Sequence, residues 1–164
     1  DIKYHRIRFC RELARKNLKK MQKKLKKGFP DNLFLAAEEL LPGYVVCPLK
    51  NLPSEVTAIL SREDQAIGYN DNLPQKRQRF GIAHEIGHAL LDHPQIIHDP
   101  FDIKDSIIEA EANSFASEFL VPLKTLKKTS QYIRHPVELA EHFLVTEEFM
   151  WNRFKEAQLF NQIF

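Results

Sequence analysis

Residues 79–91 read RFGIAHEIGHALL and residues 109–122 read EAEANSFASEFLVP, and the fold turns on these two stretches. Pro74 lies where a helix can begin and Pro94 where it must have ended, so residues 74–91 are expected to be helical. Inside that helix stands His84-Glu85-Ile86-Gly87-His88, an HExxH pattern. Positions four apart differ by about 40° around a helix, so His84 and His88 leave one face a turn apart, as two ligands of one tetrahedral zinc ion must. Glu85 sits about 60° from His88 on the flank of that face, where a carboxylate reaches a water without becoming a ligand. The pentapeptide alone also fits a helix whose histidines hold no metal. Its apolar context, Ile82, Ala83, Ile86, Ala89, Leu90 and Leu91, argues for burial, and two buried imidazoles need a partner that a metal supplies.

A catalytic zinc takes three protein ligands and leaves a fourth position open. Metzincins place the third histidine six residues after the second, which here is Pro94. His93, at offset five, is about 140° from that face on a continuing helix and reads as a helix-end residue near the dipole. Gluzincins take a glutamate from a second helix, and the second stretch offers Glu109, with Asn113 on the same face to accept the outer N–H of His84 or His88. Glu111 is about 200° from Glu109 around that helix and is expected to be solvated, with a reserve role as ligand.

Outward from these motifs, a helix is expected over residues 106–120, halted before Pro122. Short helices follow near 123–129, 136–143 and 146–158, the last two forming a helix-turn-helix-like hairpin over 136–158. Thr146 is its cap candidate, and Phe143, Phe149, Trp151 and Phe154 are assigned to the core. Leu144 replaces the usual small turn residue, and Glu147, Glu148 and Glu156 would face phosphates unfavourably, so the hairpin is read as structural. Residues 92–104 read as a loop in which Ile96, Ile97 and Phe101 near His98 and Asp99 form either a cleft wall or a plain connection.

Upstream, residues 44–49, 57–61 and 66–69 are short and rich in Val, Ile and Tyr, which predicts a small antiparallel sheet of three strands. Asp31 is expected to cap a short helix ended by Pro42 and Gly43. Ile7, Cys10, Ala14, Leu18, Met21 and Leu25 recur at steps of three and four, predicting one helix over residues 3–27 closed by Gly28 and Pro30. The class is therefore α+β, with a basic N-terminal helix (residues 1–30) packed on one domain (31–164).

That helix holds 12 lysines and arginines against two acids, while the whole chain of 164 residues has a net charge of +2, so the remainder is acidic. The basic face reads as solvated, and it also allows a weak nucleic-acid contact that added salt, or charge reversal at Lys19, Lys20, Lys23 and Lys24, would abolish. Cys10 and Cys47 are too few and too far apart for a zinc ribbon or a disulfide framework. No apolar run approaches the roughly 20 residues needed to span a bilayer, and none at the N-terminus resembles a leader, so the expectation is a cytoplasmic protein with no membrane contact. The chain opens on Asp1 rather than methionine, as a trimmed form of a longer protein would.

Together the two quoted stretches resemble the ImmA/IrrE metallopeptidases, a likeness extending more loosely from residue 31 to the C-terminus. The resemblance implies a zincin-like, helix-rich domain with a small sheet, zinc held by His84, His88 and Glu109, and Glu85 as base. It also implies an endopeptidase that cuts helix-turn-helix repressors and so derepresses stress-response or mobile-element genes. Asn113 stands where gluzincins at large commonly have Asp. Tyr69, Tyr132, His135 and His142 are candidates to stabilise the oxyanion. Three rival readings remain: a metal-dependent module that acts on a repressor or DNA by binding alone, a structural zinc site closed by Glu111 or His93, and nucleic-acid binding through the N-terminal helix.

Overall fold

The computed structural model describes residues 2–94 and 103–163, and side chains over 5–94 and 106–157. In chain order the elements are α1 (Ile2–Lys20), a 3-10 turn (Gln22–Lys24), α2 (Leu33–Leu40), β1 (Val45–Leu49), β2 (Ala58–Ser61), β3 (Ala66–Asn70), α3 (Gln75–Leu90), α4 (Ile103–Leu120), α5 (Leu123–Thr129), α6 (Pro136–Phe143) and α7 (Glu147–Ile163). The class is α+β. The expected wall formed by Ile96, Ile97, His98, Asp99 and Phe101 lies outside the described residues.

The sheet has its three strands, but it is mixed rather than antiparallel. The order is β1-β3-β2, with β2 antiparallel and β1 parallel to the central β3. The short turn between β2 and β3, with Gln65 at φ 49°, enforces an antiparallel hairpin. The longer connection after β1 instead carries the chain past the place where β3 will lie, so β1 meets the far edge of β3 running the same way. Asn70, fully buried, pins this connection by donating from its side-chain amide to Pro53 O (3.0 Å) and Val56 O (2.9 Å).

α3 and α4 lie in the centre and pack closely. A Cβ on Gly87 would stand 2.9 Å from Cδ1 of the buried Phe115, so only glycine lets the helices approach this far. The core gathers around them: Ile82, Ala83 and Ile86 from α3, Phe115, Ala116, Phe119 and Leu120 from α4, Ile67 from β3, and Leu139 and Phe143 from α6. Arg79 is also buried, its guanidinium donating to Pro30 O (2.8 Å), Asp31 O (2.6 Å) and Leu144 O (3.1 Å), and burial lowers its pKa to about 10. It ties the approaches to α2 and α7 onto α3.

The N-terminal helix stops at Lys20, seven residues short of the expected end. Lys19, Lys20, Lys23, Lys24 and Lys27 would stack like charges three and four apart on a continued helix. The apolar stripe still packs as far as Met21: Cys10, Ala14, Leu18 and Met21 are buried. Asn32, not Asp31, caps α2, its side chain accepting from Leu35 N at 3.1 Å. Thr146 caps α7 through Phe149 N (3.2 Å), and Leu144 makes the preceding turn at φ 59°. Phe143 is in the core and Phe149 and Phe154 pack against it, whereas Trp151 is 45% exposed, outside the assignment made from its apolar character.

Candidate metal centre

α3 presents His84 and His88 toward α4, and the two imidazoles meet: His84 Nε2 and His88 Nε2 are 3.0 Å apart. Glu109 on α4 completes the triangle, with Oε2 2.9 Å from His84 Nε2 and Oε1 3.0 Å from His88 Nε2. The edge of a tetrahedron with zinc bonds of about 2.0–2.1 Å is about 3.3 Å. The donor atoms thus stand close to the separation that one ion requires, and two imidazoles with a carboxylate are a donor set suited to zinc. Glu85 offers a carboxylate oxygen within 4.8 Å of both ring nitrogens.

These groups also hold one another. Burial opposes charge on His84, but the hydrogen bond and negative charge of Glu109 outweigh it and raise the His84 pKa. Burial likewise works against the Glu109 carboxylate, and its bonds to His84 and His88 prevail, holding it well below the usual range. Glu85 is raised, chiefly by burial, with the two histidines acting against the shift. A carboxyl moved toward neutrality is better matched to taking up and giving back a proton near pH 7.

The site lies in a cleft of about 510 Å³ whose walls include His84, Glu85, His88, Glu109 and the β2 residues Ala58 to Leu60. Gly81 keeps the strand close, since a Cβ there would meet Thr57 Cβ at 3.0 Å. Tyr69, Tyr132, His135 and His142 are not among the residues lining this cleft. Tyr69 stacks edge-on against Phe34, Tyr132 is 69% exposed, His135 caps α6, and His142 packs on Phe29 and Phe143.

The surroundings of the two histidines differ from expectation. Asn113 stands near enough to favour the charged form of His84, yet His84 Nδ1 is buried without a hydrogen-bond partner among the described residues. His93 and Glu111, expected to be a helix-end residue and a solvated glutamate, are both buried, at 6% and 1% exposure. His93 Nδ1 is 2.8 Å from His88 Nδ1, and His93 Nε2 is 2.7 Å from Glu111 Oε2. The 140° estimate assumed that α3 continues, but the helix ends at Leu90 and Asp92 at φ 54° turns the chain back beneath His88. An Asp able to adopt the left-handed region was the one signal in the sequence for that return.

The model of the IrrE N-terminal-like domain, a peptidase family, matches residues 45–155, from β1 into α7. The chain belongs to this family. An IrrE N-terminal-like domain is thus present with its His-Glu-x-x-His group assembled as a possible metal site. In fold, the chain is similar to a Mycobacterium tuberculosis transcriptional regulator of solved structure, with a TM-score of 0.61 and 18% identity over 85% of this chain. The match takes in 44% of that protein, so the chain spans less than half its length. The curated proteins provide no match. Among the described residues, no helix of this IrrE N-terminal-like domain is long and apolar enough to cross a membrane.

Proposed function

We propose that this chain is a zinc-dependent endopeptidase in which His84, His88 and Glu109 hold the metal and Glu85 is the general base. The observation that carries the reading is the meeting of the two Nε2 atoms and the Glu109 carboxylate at 2.9–3.0 Å, from two helices that a glycine brings together. A zinc ion there would supply Lewis acidity, polarising a peptide carbonyl and acidifying water.

The protein's own groups supply the rest. Water adds across the peptide C–N bond: its oxygen joins the carbonyl carbon, Glu85 takes its proton, and Glu85 returns that proton to the leaving nitrogen as the bond breaks. Glu109, lowered by its contacts with His84 and His88, is suited to the role of ligand, and Glu85, raised by burial, to that of base, which divides the two carboxylates. The β2 wall of the cleft can accept an extended stretch of polypeptide, which fits a protein substrate. The family resemblance points to a DNA-binding helix-turn-helix repressor, whose cleavage would derepress stress-response or mobile-element genes.

The test is Glu85→Gln, assayed by zinc content and by cutting of a candidate repressor from the same genome. The variant is expected to fold and load zinc as the wild type does while cleavage falls by about 10²–10⁴-fold. A variant that releases the repressor's target genes as well as the wild type would instead make the chain a metal-dependent binding module.

A further inference from the structure

We infer that His93 is the positioning residue of the metal centre: it holds the His88 ring by Nδ1 with Nε2 facing the ligand triangle, and is itself held by Glu111, which Arg6 of α1 holds in turn. The inference rests on the metal-centre reading above and extends it to three residues outside the ligand set.

The donor and acceptor roles follow one from the next. Glu111 as a carboxylate can only accept, and Arg6 donates to it from Nη2 to Oε2 at 3.1 Å and from Nε to Oε1. The remaining neighbour of Oε2 is His93 Nε2 at 2.7 Å, so that nitrogen carries the hydrogen. In a neutral ring Nδ1 is then the acceptor, and 2.8 Å away His88 Nδ1 must be the donor. With Nδ1 keeping its hydrogen for His93, the position His88 can give to a metal is Nε2, which faces His84 and the Glu109 carboxylate. Reversing the chain would leave Nε2 as the only N–H of the ring, and a metal could then bind there only by taking the ring's last hydrogen. The direction of these hydrogen bonds therefore favours Nε2 as the metal-binding nitrogen.

The backbone holds the same arrangement. His93 N donates to His88 O (3.1 Å), and Arg62 Nη2 donates to both His88 O (3.0 Å) and His93 O (2.7 Å), closing the turn through Asp92. Arg6 lies outside residues 45–155, so the far end of the chain of bonds comes from a part of the protein that the family model does not cover.

Zinc affinity of the full chain, measured by competition with a chromogenic chelator, tests this. His93→Leu keeps bulk without donor or acceptor and is expected to bind zinc about 10–100-fold more weakly. His93→Gln can accept from His88 and donate to Glu111, and should stay within about threefold of wild type. A folded His93→Leu with wild-type affinity overturns the inference. Leucine there also strips the buried Glu111 of a partner and can unfold the chain, so ring ¹⁵N NMR of the metal-free wild type decides independently. It should show His88 protonated on Nδ1 and His93 on Nε2, and a His88 ring with no hydrogen on Nδ1 overturns the inference. If the wild-type chain takes up no zinc, the metal reading itself fails. If it does and His93→Leu matches it, only the role of His93 fails.

Discussion

Glu109 Oε2 stands 2.9 Å from His84 Nε2 and favours the charged ring, whose proton a zinc ion would have to displace. The folded pKa of His84 is raised, so its pairing stabilises the fold fully below about pH 6.5 and that contribution is lost as pH rises through the folded value. For Glu109, which is lowered, the contribution is present above about pH 4.3 and is lost as pH falls through its folded value. Zinc needs the His84 ring neutral. Its apparent affinity should therefore climb about tenfold per pH unit until His84 has lost its proton, and then level off. Chelator competition between about pH 5.5 and 8, corrected for the chelator's own protonation, checks this. The thermal midpoint gained on adding zinc should widen over the same range. A profile that is flat below about pH 6.5 would mean that no histidine is deprotonated on binding.

At the scale of elements, the site depends on how near α3 comes to α4, and Gly87 sets that distance. Alanine at an exposed helix position would gain about 1 kcal/mol in propensity over glycine. Here its methyl would meet the Phe115 ring at 2.9 Å, and Phe115, with no exposed surface, has nowhere to move. Overpacking of this kind costs about 1–3 kcal/mol, so Gly87→Ala is expected to lose up to about 2 kcal/mol in urea unfolding once the propensity gain is deducted. Because His88 and Glu109 sit on the two separated helices, zinc affinity should fall with it. An alanine variant more stable than wild type, with unaltered zinc binding, would show that the helices have room to spare. What the sequence made legible follows the same division. The HExxH helix, its partner helix and the short helices 123–129 and 136–143 could be read because periodicity, proline placement and spacing act within one element. Parallel β1 and the return of His93 could not, because strand direction and the path after Leu90 depend on connections whose ends meet only in three dimensions.

For the whole molecule, the split between a basic N-terminus and an acidic remainder becomes contact. Arg6 pairs with Glu111, Arg15 with Glu118, Arg11 with Glu156 and Lys24 with Glu39, so part of the asymmetry is neutralised by contacts across the fold. Its centre is Glu118 of α4, 1% exposed, between Arg15 of α1 and the equally buried Arg153 of α7. Arg153 also donates to Val121 O (2.9 Å) and Glu156 (2.7 Å), so one guanidinium joins α7 to the end of α4. Charges buried this deeply are costly unless each is matched, and removing one partner leaves the other uncompensated. Arg153→Met keeps most of the volume, removes the charge and leaves Glu118 with Arg15, whose side chain is 46% exposed and so only a partial substitute. Breaking a buried pair costs about 3–5 kcal/mol, and with Arg15 still present the expected loss lies near the lower end of that range. Urea unfolding measures it, and adding Glu118→Gln should recover part of the loss because the orphaned charge is then gone. A double variant no more stable than Arg153→Met would mean that the burial of Glu118 is not what Arg153 offsets, and that its bonds to Val121 and Glu156 carry the effect.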